Sequence, residues 1–339
     1  MDLTTAYLGL QLRNPLVASA GPLTSTADGV RKLADAGVGA VVLPSLFEEE
    51  LRHQADQDSR LASAGTESFP EALSYLPDTT FDHWPHRYLH LIEQATAAAG
   101  PGVPVIASLN GVSTGGWTDY ATAMQDAGAA GIELNIYYLP GDPLIPARDA
   151  ERRYTEILIS VKAAVRIPVA VKIGPYFSSP GEMATLLDRA GADGLVLFNR
   201  FMQTDIDPET FTVSAGFRLS SPGESALPRS WIALLRGKVS CSLAATTGVE
   251  TPADVAAYLL AGADVVMTTS ALLRHGPGYA AHLLDGLAGW MHRKGFAAMT
   301  ELRGLLSAEA GLAVPGRTGY LSAIEQATHA FGSPQTNLR

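Results

Sequence analysis

Short apolar runs alternate with amphipathic stretches along this chain, and the two kinds of segment are joined in a recurring way. Four times an Ala-Gly pair closes a helix-like stretch just before an apolar run, at Ala36-Gly37, Ala127-Gly128, Ala190-Gly191 and Ala261-Gly262. A glycine just past a helix adopts the left-handed cap conformation at little cost. The apolar run after it is typical of a strand that is buried on both faces. The repeated unit predicts parallel strands joined by helical crossovers.

Eight apolar runs are spaced as strands, and helical patterns lie between them. The predicted strands are Pro15–Gly21, Val38–Leu46, Val103–Asn110, Gly131–Tyr137, Pro168–Gly174, Gly194–Arg200, Val239–Thr246 and Ala263–Ser270. The predicted helices are Thr26–Ala36, Arg87–Ala99, Trp117–Ala127, Ala150–Val165, Gly181–Ala190, Pro228–Arg236, Pro252–Ala261 and Gly278–Arg293. Eight such alternations predict a (β/α)8 TIM barrel of the α/β class, with its chemistry at the carboxyl ends of the strands.

Four segments fall outside the minimal barrel. Residues 6–13 read as a short apolar hairpin that covers the barrel floor. Residues 48–85 and 201–227 are insertions on the strand-end side, where active-site loops lie. Because no linker indicates a second domain, we expect one barrel domain over residues 1–305. Residues 306–339 follow it as a tail that is rich in Gly, Ala and Ser.

Composition narrows the class of protein. The 339 residues carry a formal net charge of −10, whereas a nucleic-acid partner requires a basic patch. No apolar run reaches the roughly 18 residues of a membrane span, and the first residues lack the pattern of a secretory signal. The single Cys241 excludes a multi-cysteine metal or iron–sulfur site. We therefore expect a cytoplasmic protein without a metal, a nucleic-acid partner or a membrane contact.

The loops after the last two predicted strands carry small and hydroxylated residues. Gly248 and Val249 follow strand seven, and Thr269 and Ser270 lie at the end of strand eight. In barrels these two loops often bind phosphate through main-chain amides, and small residues let an anion approach the backbone. The alternative is that Gly248 only turns the chain while the threonines cap helices. The pattern in both loops together favours a phosphate site.

Lys172 closes the apolar run of strand five. A lysine is costly to bury unless it is paired, so we expect it to face the barrel mouth. It could stay cationic and stabilise negative charge on a cofactor or substrate, or it could act as a Schiff-base nucleophile. The alternative is a lysine without a functional role, whose side chain only reaches solvent at the end of the strand.

Two asparagines end neighbouring parts of the predicted barrel. Strand alternation places Asn135, with Glu133 and Tyr137, inside the barrel at the end of strand four. Asn199 occupies the equivalent end of strand six. Two amides at one mouth favour recognition of a heteroaromatic or imide edge, and the alternative is hydrogen bonding to loop backbone.

The order and spacing of several short motifs resemble the dihydroorotate dehydrogenase family. The motifs are Leu8-Gly-Leu-Gln-Leu-Arg-Asn-Pro-Leu16, Ala18-Ser-Ala-Gly21, Glu133-Leu-Asn135, Val171-Lys-Ile-Gly-Pro-Tyr-Phe177, Gly248-Val-Glu-Thr251 and Lys294-Gly-Phe296. The resemblance runs from about residue 2 to residue 305. The soluble class, which lacks a membrane-binding N-terminal helix, is the closer match.

The resemblance implies a flavoprotein with FMN at the barrel mouth. It implies oxidation of dihydroorotate to orotate in pyrimidine biosynthesis, or reaction with a related dihydropyrimidine. The residues that it places on FMN are Ala20, Gly21, Ser45, Asn135, Lys172, Gly248, Val249, Thr269 and Ser270. It sets Lys172 beside the flavin N1–C2 edge and Asn135 and Asn199 on the pyrimidine. It also allows an electron-transfer partner protein and a homodimer.

The chain departs from the family's pattern on the substrate side. The family has a catalytic Cys or Ser three residues after the strand-four asparagine, and Tyr138 stands there. A phenol loses its proton less readily than a thiol, so Tyr138, or Tyr137 beside it, needs activation to act as a base. Pro44 and Pro140 replace a lysine and an asparagine, and Ala245-Thr246-Thr247 replaces a glycine-rich stretch. The flavin site is better preserved than the substrate site.

We therefore favour an FMN-dependent oxidoreductase that acts on a small-molecule substrate, with Tyr138 and Lys172 as its catalytic residues. A catalytically inert FMN-binding homologue is the second hypothesis. A Schiff-base aldolase that uses Lys172 is the third, and such a protein would be colourless.

Overall fold

The computed structural model describes residues 1–49, 84–111, 117–138, 141–200, 204–215, 218–311 and 317–331. Its strands are β1 (Thr5–Tyr7), β2 (Leu10–Leu12), β3 (Leu16–Ala18), β4 (Ala40–Phe47), β5 (Val105–Asn110), β6 (Gly131–Asn135), β7 (Val169–Ile173), β8 (Gly194–Leu197), β9 (Thr204–Asp207), β10 (Thr212–Ala215), β11 (Ser242–Ala245) and β12 (Val265–Thr268). Eight parallel strands close into a barrel in the order β11-β12-β3-β4-β5-β6-β7-β8. The predicted (β/α)8 barrel is confirmed, and each of its eight strands lies within a predicted run or extends it by one residue.

Helices connect and surround the barrel strands. They are α1 (Ala27–Asp35), α2 (Trp84–Ala99), α3 (Trp117–Asp126), α4 (Ala147–Ala164), α5 (Pro180–Arg189), α6 (Ala226–Leu235), α7 (Pro252–Ala261), α8 (Ser270–His275), α9 (Tyr279–Lys294), α10 (Met299–Leu302) and α11 (Arg317–Phe331). Thr251 and Ser179 cap α7 and α5, because their side chains accept hydrogen bonds from the N–H groups of Asp254 and Glu182.

The Ala-Gly pairs end helices as the repeat predicts. Gly37, Gly128, Gly191 and Gly262 have φ between +94° and +119°. In this region a side chain would clash with the backbone, and glycine turns the chain from each helix toward the next strand at little cost.

Side chains of the barrel strands alternate between the interior and the surrounding helices. Val42, Ile106 and Met267 belong to the interior cluster. Leu134 and Val171 belong to a separate cluster that includes the apolar faces of the helices. Both faces of the sheet are therefore apolar over most of its height, and polar side chains concentrate near the strand ends.

The N-terminal hairpin closes the amino-terminal end of the barrel. Strands β1 and β2 pair antiparallel, and Tyr7 and Leu12 are buried in the interior cluster. A Cβ added at Gly194 of β8 would stand 2.6 Å from Leu8 Cδ2, so the hairpin packs directly against this strand. The prediction that residues 6–13 cover the barrel floor is confirmed.

The insertion after β8 contains the antiparallel pair β9–β10 and a 3₁₀ turn at Pro222–Ser225 that leads into α6. Most of the predicted 48–85 insertion lies outside the described residues. None of the helices in the described ranges has the length and apolar character to cross a membrane.

Candidate functional site

A groove opens where the carboxyl ends of β7, β8, β11 and β12 meet the loop after β3. The predicted site residues that line it are Ala20, Lys172, Asn199, Gly248, Val249, Thr269 and Ser270. The other predicted residues, Gly21, Ser45, Asn135 and Tyr138, stand outside this lining, and their surroundings differ from one to the next. The groove lies at the end of the barrel where the fold places its chemistry.

Gly248 brings the loop after β11 against the insertion that follows β8. Its φ is +74°, and an added Cβ would stand 2.7 Å from the amide nitrogen of Ser225 and 2.9 Å from the carbonyl oxygen of Ser221. Only glycine fits this position without a shift of the backbone. The Gly248 N–H donates to Ser220 Oγ over 3.3 Å.

Ser220 is a site residue that sequence reasoning missed. Its N–H and its hydroxyl each donate to Ser270 Oγ over 3.0 Å, and Arg274 donates to its carbonyl oxygen over 2.6 Å. One serine of the insertion thus joins the loops after β11 and β12. The sequence feature that could have pointed to it is the Ser220-Ser221 pair ahead of Pro222, in an insertion that was expected on the strand-end side.

Thr269 ties the end of β12 to the loop after β3. Its hydroxyl donates to the carbonyl oxygen of Ser19 over 2.9 Å. An added Cβ at Gly21 would stand 2.5 Å from the Thr269 methyl carbon. Gly21 therefore permits this close packing, while its neighbour Ala20 lines the groove.

Lys172 is paired at the inner side of the groove. Its Nζ lies 3.3 Å from Glu133 Oε1, and the two side chains are 11% and 2% exposed. Because a Schiff-base nucleophile needs a free nitrogen to attack, the ion pair with Glu133 favours the charge-stabilising role of Lys172 over the nucleophilic role.

The two predicted asparagines meet at the barrel mouth. Asn199 Nδ2 donates to Asn135 Oδ1 over 2.7 Å, and the Asn199 main-chain N–H donates to the carbonyl oxygen of Ile173 over 2.8 Å. The pair joins the ends of β6 and β8 across β7. Each amide keeps a second polar atom, which gives the pair one donor group and one acceptor for a planar ligand.

Pro44 marks an irregularity in β4 that places Ser45. The register of β4 against β5 shifts between Val42 and Ser45, and proline has no N–H to contribute to a ladder there. Ser45 then pairs with Ser108, and their hydroxyl oxygens are 2.8 Å apart. Ser108 in turn pairs in register with Glu133, so three polar residues lie side by side in neighbouring strands.

Tyr138 follows β6, and its ring lies toward α4. The Arg153 guanidinium carbon is 4.2 Å from the ring centroid. The Tyr154 hydroxyl donates to the Tyr138 carbonyl oxygen over 3.5 Å, and the Tyr138 ring packs against the helix-facing core. The structure thus places this residue near the mouth without bringing it into the groove lining.

Comparison with known proteins identifies the family. The dihydroorotate dehydrogenase family model matches residues 2–291. The catalytic subunit of dihydroorotate dehydrogenase B (NAD(+)) from Methanocella arvoryzae is 28% identical over 90% of this chain and 98% of its own. That of Methanothermobacter thermautotrophicus is 25% identical over 89% and 98%. The NAD-dependent dihydropyrimidine dehydrogenase subunit PreA of Escherichia coli is 23% identical over 90% and 76%. With nearly the whole barrel matched, the chain belongs to the dihydroorotate dehydrogenase family, oxidoreductases that act on CH–CH bonds.

Proposed function

We propose that this protein is an FMN-dependent oxidoreductase that removes hydrogen from the CH–CH bond of dihydroorotate or of a related dihydropyrimidine. One observation carries the proposal: a backbone cradle suited to phosphate and a lysine ammonium line the same groove. Membership of the family supplies the reaction class. FMN, when bound, supplies the capacity to accept a hydride.

The phosphate end of the groove fits its proposed ligand. At Gly248 the backbone has no Cβ, and its N–H joins the hydroxyls of Ser220 and Ser270 in one chain of hydrogen bonds. These donors are of the kind that bind phosphate oxygens, and they bond to one another in the structure. We assign the FMN phosphate to this cluster, together with the adjoining Val249 and Thr269.

The ring end of the groove carries the groups that electron transfer requires. Lys172 places a positive charge where negative charge accumulates on reduction, which favours the reduced state. The Asn135–Asn199 pair offers a donor and an acceptor to the edge of a planar substrate. Ala20, Gly21 and Ser45 complete the proposed flavin side.

Tyr138 is our proposed proton acceptor. It stands three residues after Asn135, where the family has its catalytic Cys or Ser. The proposal requires the ring to turn from α4 toward the mouth when substrate binds.

The visible spectrum of the purified protein tests the function. We expect yellow protein whose flavin absorption bleaches on anaerobic mixing with dihydroorotate. Colourless protein that takes up no added FMN would rule out the proposal. Bleaching by another dihydropyrimidine, but not by dihydroorotate, would keep the reaction class and change the substrate.

A second candidate is an FMN-binding homologue without turnover, and the position of Tyr138 outside the groove lining favours it. Such a protein would be yellow and reducible by dithionite, yet no dihydropyrimidine would bleach it. The aldolase hypothesis has no support, because the family is one of oxidoreductases and Lys172 is paired with Glu133.

We further propose that an electron-transfer partner protein reoxidises the flavin. All three similar proteins described above are named as subunits, two of them as catalytic subunits. A partner that restores the yellow colour of the anaerobically reduced protein would identify the acceptor. Equally fast reoxidation by fumarate alone would argue against a protein partner.

A further inference from the structure

Glu133 lies inside the barrel beneath the groove, and no step proposed above uses it. Its side chain is 2% exposed, and its Oε1 contacts Lys172 Nζ at 3.3 Å. Its Oε2 is fully buried and has no hydrogen-bond partner in the described part of the chain. One oxygen of this carboxylate is therefore paired with the lysine, and the other oxygen carries charge without a hydrogen bond.

The register of the sheet fixes the depth of this carboxylate. Asn135 pairs with Lys172, whereas Glu133 pairs with Ala170 on one side and with Ser108 on the other. Two residues along a strand span about 6.6 Å. Glu133 therefore lies one inward-facing layer below the residues at the mouth, and Lys172 stands between it and the groove.

The groups around Glu133 respond to its charge but do not neutralise it. Tyr7 reaches up from the floor hairpin, and burial first and the charge of Glu133 second raise the pKa of its phenol. Burial, and to a lesser extent Glu133, also raise the pKa of Tyr88, while a hydrogen bond with the Ser108 backbone lowers it. Both phenols are therefore neutral near pH 7, and the ion pair with Lys172 is the charge contact that Glu133 makes here.

Packing alone does not explain a buried carboxylate at position 133. Ala170 beside Glu133, and Val42 and Ile106 one layer below, are apolar, while the hydroxyls of Ser45 and Ser108 on its other side pair with each other. None of these side chains forms a hydrogen bond with the inner oxygen of Glu133 in the described part of the chain. Placing a charge in such a layer costs more than an apolar or amide side chain of similar volume. In a medium of low dielectric constant its field also reaches the groove with little screening. These conditions give the charge of Glu133 an effect beyond the shape of its side chain.

We propose that Glu133 is a positioning residue that sets how much positive charge Lys172 presents to the groove, and thereby the reduction potential of the bound flavin. The proposal rests on the proposed function for the identity of the ligand. Reduction adds negative charge at the ring end, which Lys172 favours and Glu133 opposes. Glu133 therefore keeps the bound flavin harder to reduce than the lysine alone would make it.

The potential of the loaded protein is the first test. Glu133→Gln keeps the shape and removes the charge, while Glu133→Asp keeps the charge. We expect Glu133→Gln to move the equilibrium between oxidised and reduced flavin about tenfold toward the reduced form, a rise of about 30 mV for a two-electron couple. Glu133→Asp should stay within threefold of the parent in a dye-equilibrated anaerobic titration. An unchanged potential in a folded, yellow Glu133→Gln protein overturns the proposal.

A second test needs no flavin. Protein stripped of cofactor is labelled with a trace of acetic anhydride at fixed pH, and acetylation of Lys172 is compared by mass spectrometry with that of exposed Lys238 in the same sample. We expect Glu133→Gln to raise the ratio severalfold, because the Lys172 nitrogen is released from its ion pair with the carboxylate. An unchanged ratio overturns the proposal.

The two tests separate this inference from the proposed function. A raised labelling ratio in a protein that binds no flavin would support charge control of Lys172 while the FMN assignment fails. A yellow, bleachable protein with unchanged ratio and potential would keep the function and reject the role of Glu133. If Glu133→Gln does not fold, Glu133→Met, which is uncharged and of similar length, replaces it in both measurements.

Discussion

Single backbone positions shape the groove at the phosphate end. Thr247 has φ +82° although it is not glycine, and Gly248 follows it at +74°. The Tyr258 hydroxyl donates to the Thr247 carbonyl oxygen over 2.6 Å and helps to hold this strained turn. A threonine in the left-handed region costs about 1–3 kcal/mol, and such residues cluster at ligand sites.

Replacement of Gly248 by alanine tests this turn. The positive φ and the added Cβ against Ser225 should lower the free energy of unfolding by about 1–2 kcal/mol. FMN affinity should fall at least tenfold in a fluorescence titration. The control is Gly223→Ala in the same insertion, where no atom lies within 4 Å of an added Cβ. Equal affinities for the two variants would remove Gly248 from the cradle.

Tyr138→Phe tests the proposed proton acceptor. Without the hydroxyl, turnover with dihydropyrimidines should fall by at least 10²-fold, the usual contribution of a general base. Flavin content should be unchanged, since the ring still packs against Arg153. Tyr320→Phe is the control, because that residue is 67% exposed on α11. Full activity of Tyr138→Phe would exclude it from the mechanism and direct attention to Tyr137.

At the scale of elements, local signals were sufficient to predict the barrel. Each Ala-Gly pair combines a helix end with a buried run, and both depend on neighbouring residues only. Several predicted strands extend past the observed carboxyl ends: the run to Arg200 stops at Leu197, and the run to Ser270 stops at Thr268. The extra residues line the groove instead of joining the ladder. The overshoot thus coincides with the candidate site.

Features of the site that depend on distant parts of the chain were not predictable from the sequence. The ion pair of Lys172 with Glu133 and the bond of Asn199 to Asn135 join residues 39 and 64 positions apart. Ser220 reaches Ser270 across 50 positions. Periodicity shows which face of an element is apolar, but it does not show which polar residues from different elements meet.

Asp188 links two elements and gives the fold a pH dependence. It lies in the last turn of α5 and accepts hydrogen bonds from the N–H groups of Ser240 and Cys241 ahead of β11, over 3.1 Å and 2.8 Å. Burial alone would raise the pKa of this carboxyl, but those bonds lower it overall. A carboxyl with a depressed pKa stabilises the fold above its unfolded value, near 3.8, and this contribution is lost as the pH falls through the folded value.

Asp188→Asn should therefore cost about 1–2 kcal/mol of unfolding free energy at pH 7. The difference from the parent should shrink as the pH drops below about 4, because the parent's carboxyl then takes up a proton. Urea unfolding at several pH values measures this difference in unfolding free energy. Asp285→Asn, at an exposed position of α9, should show neither effect. A difference that stays constant with pH would mean that Asp188 acts through shape and not through charge.

At the scale of the whole molecule, the hairpin of β1 and β2 makes the N-terminal residues part of the barrel core. Leu12 is 2% exposed and lies in the same cluster as Val17 and Met267. The floor and the barrel should therefore unfold together.

Leu12→Ala should lower the free energy of unfolding by about 2–5 kcal/mol through lost burial and the cavity left behind. Gln11→Ala, on the exposed side of the same strand, should cost less than about 0.5 kcal/mol. Chemical denaturation followed by circular dichroism compares the two. A cost below about 1 kcal/mol for Leu12→Ala would show that the hairpin opens independently of the barrel.

The closed amino-terminal end of the barrel leads to a prediction about the order in which the reactants bind. Because Tyr7 and Leu12 fill the amino-terminal end of the barrel interior, ligands reach the ring end of the groove from the carboxyl-terminal side. The substrate and the partner protein that reoxidises the flavin would then approach from the same side, and the first product would leave before the partner binds. We expect a double-displacement rate law, seen as parallel lines in reciprocal plots when both concentrations are varied.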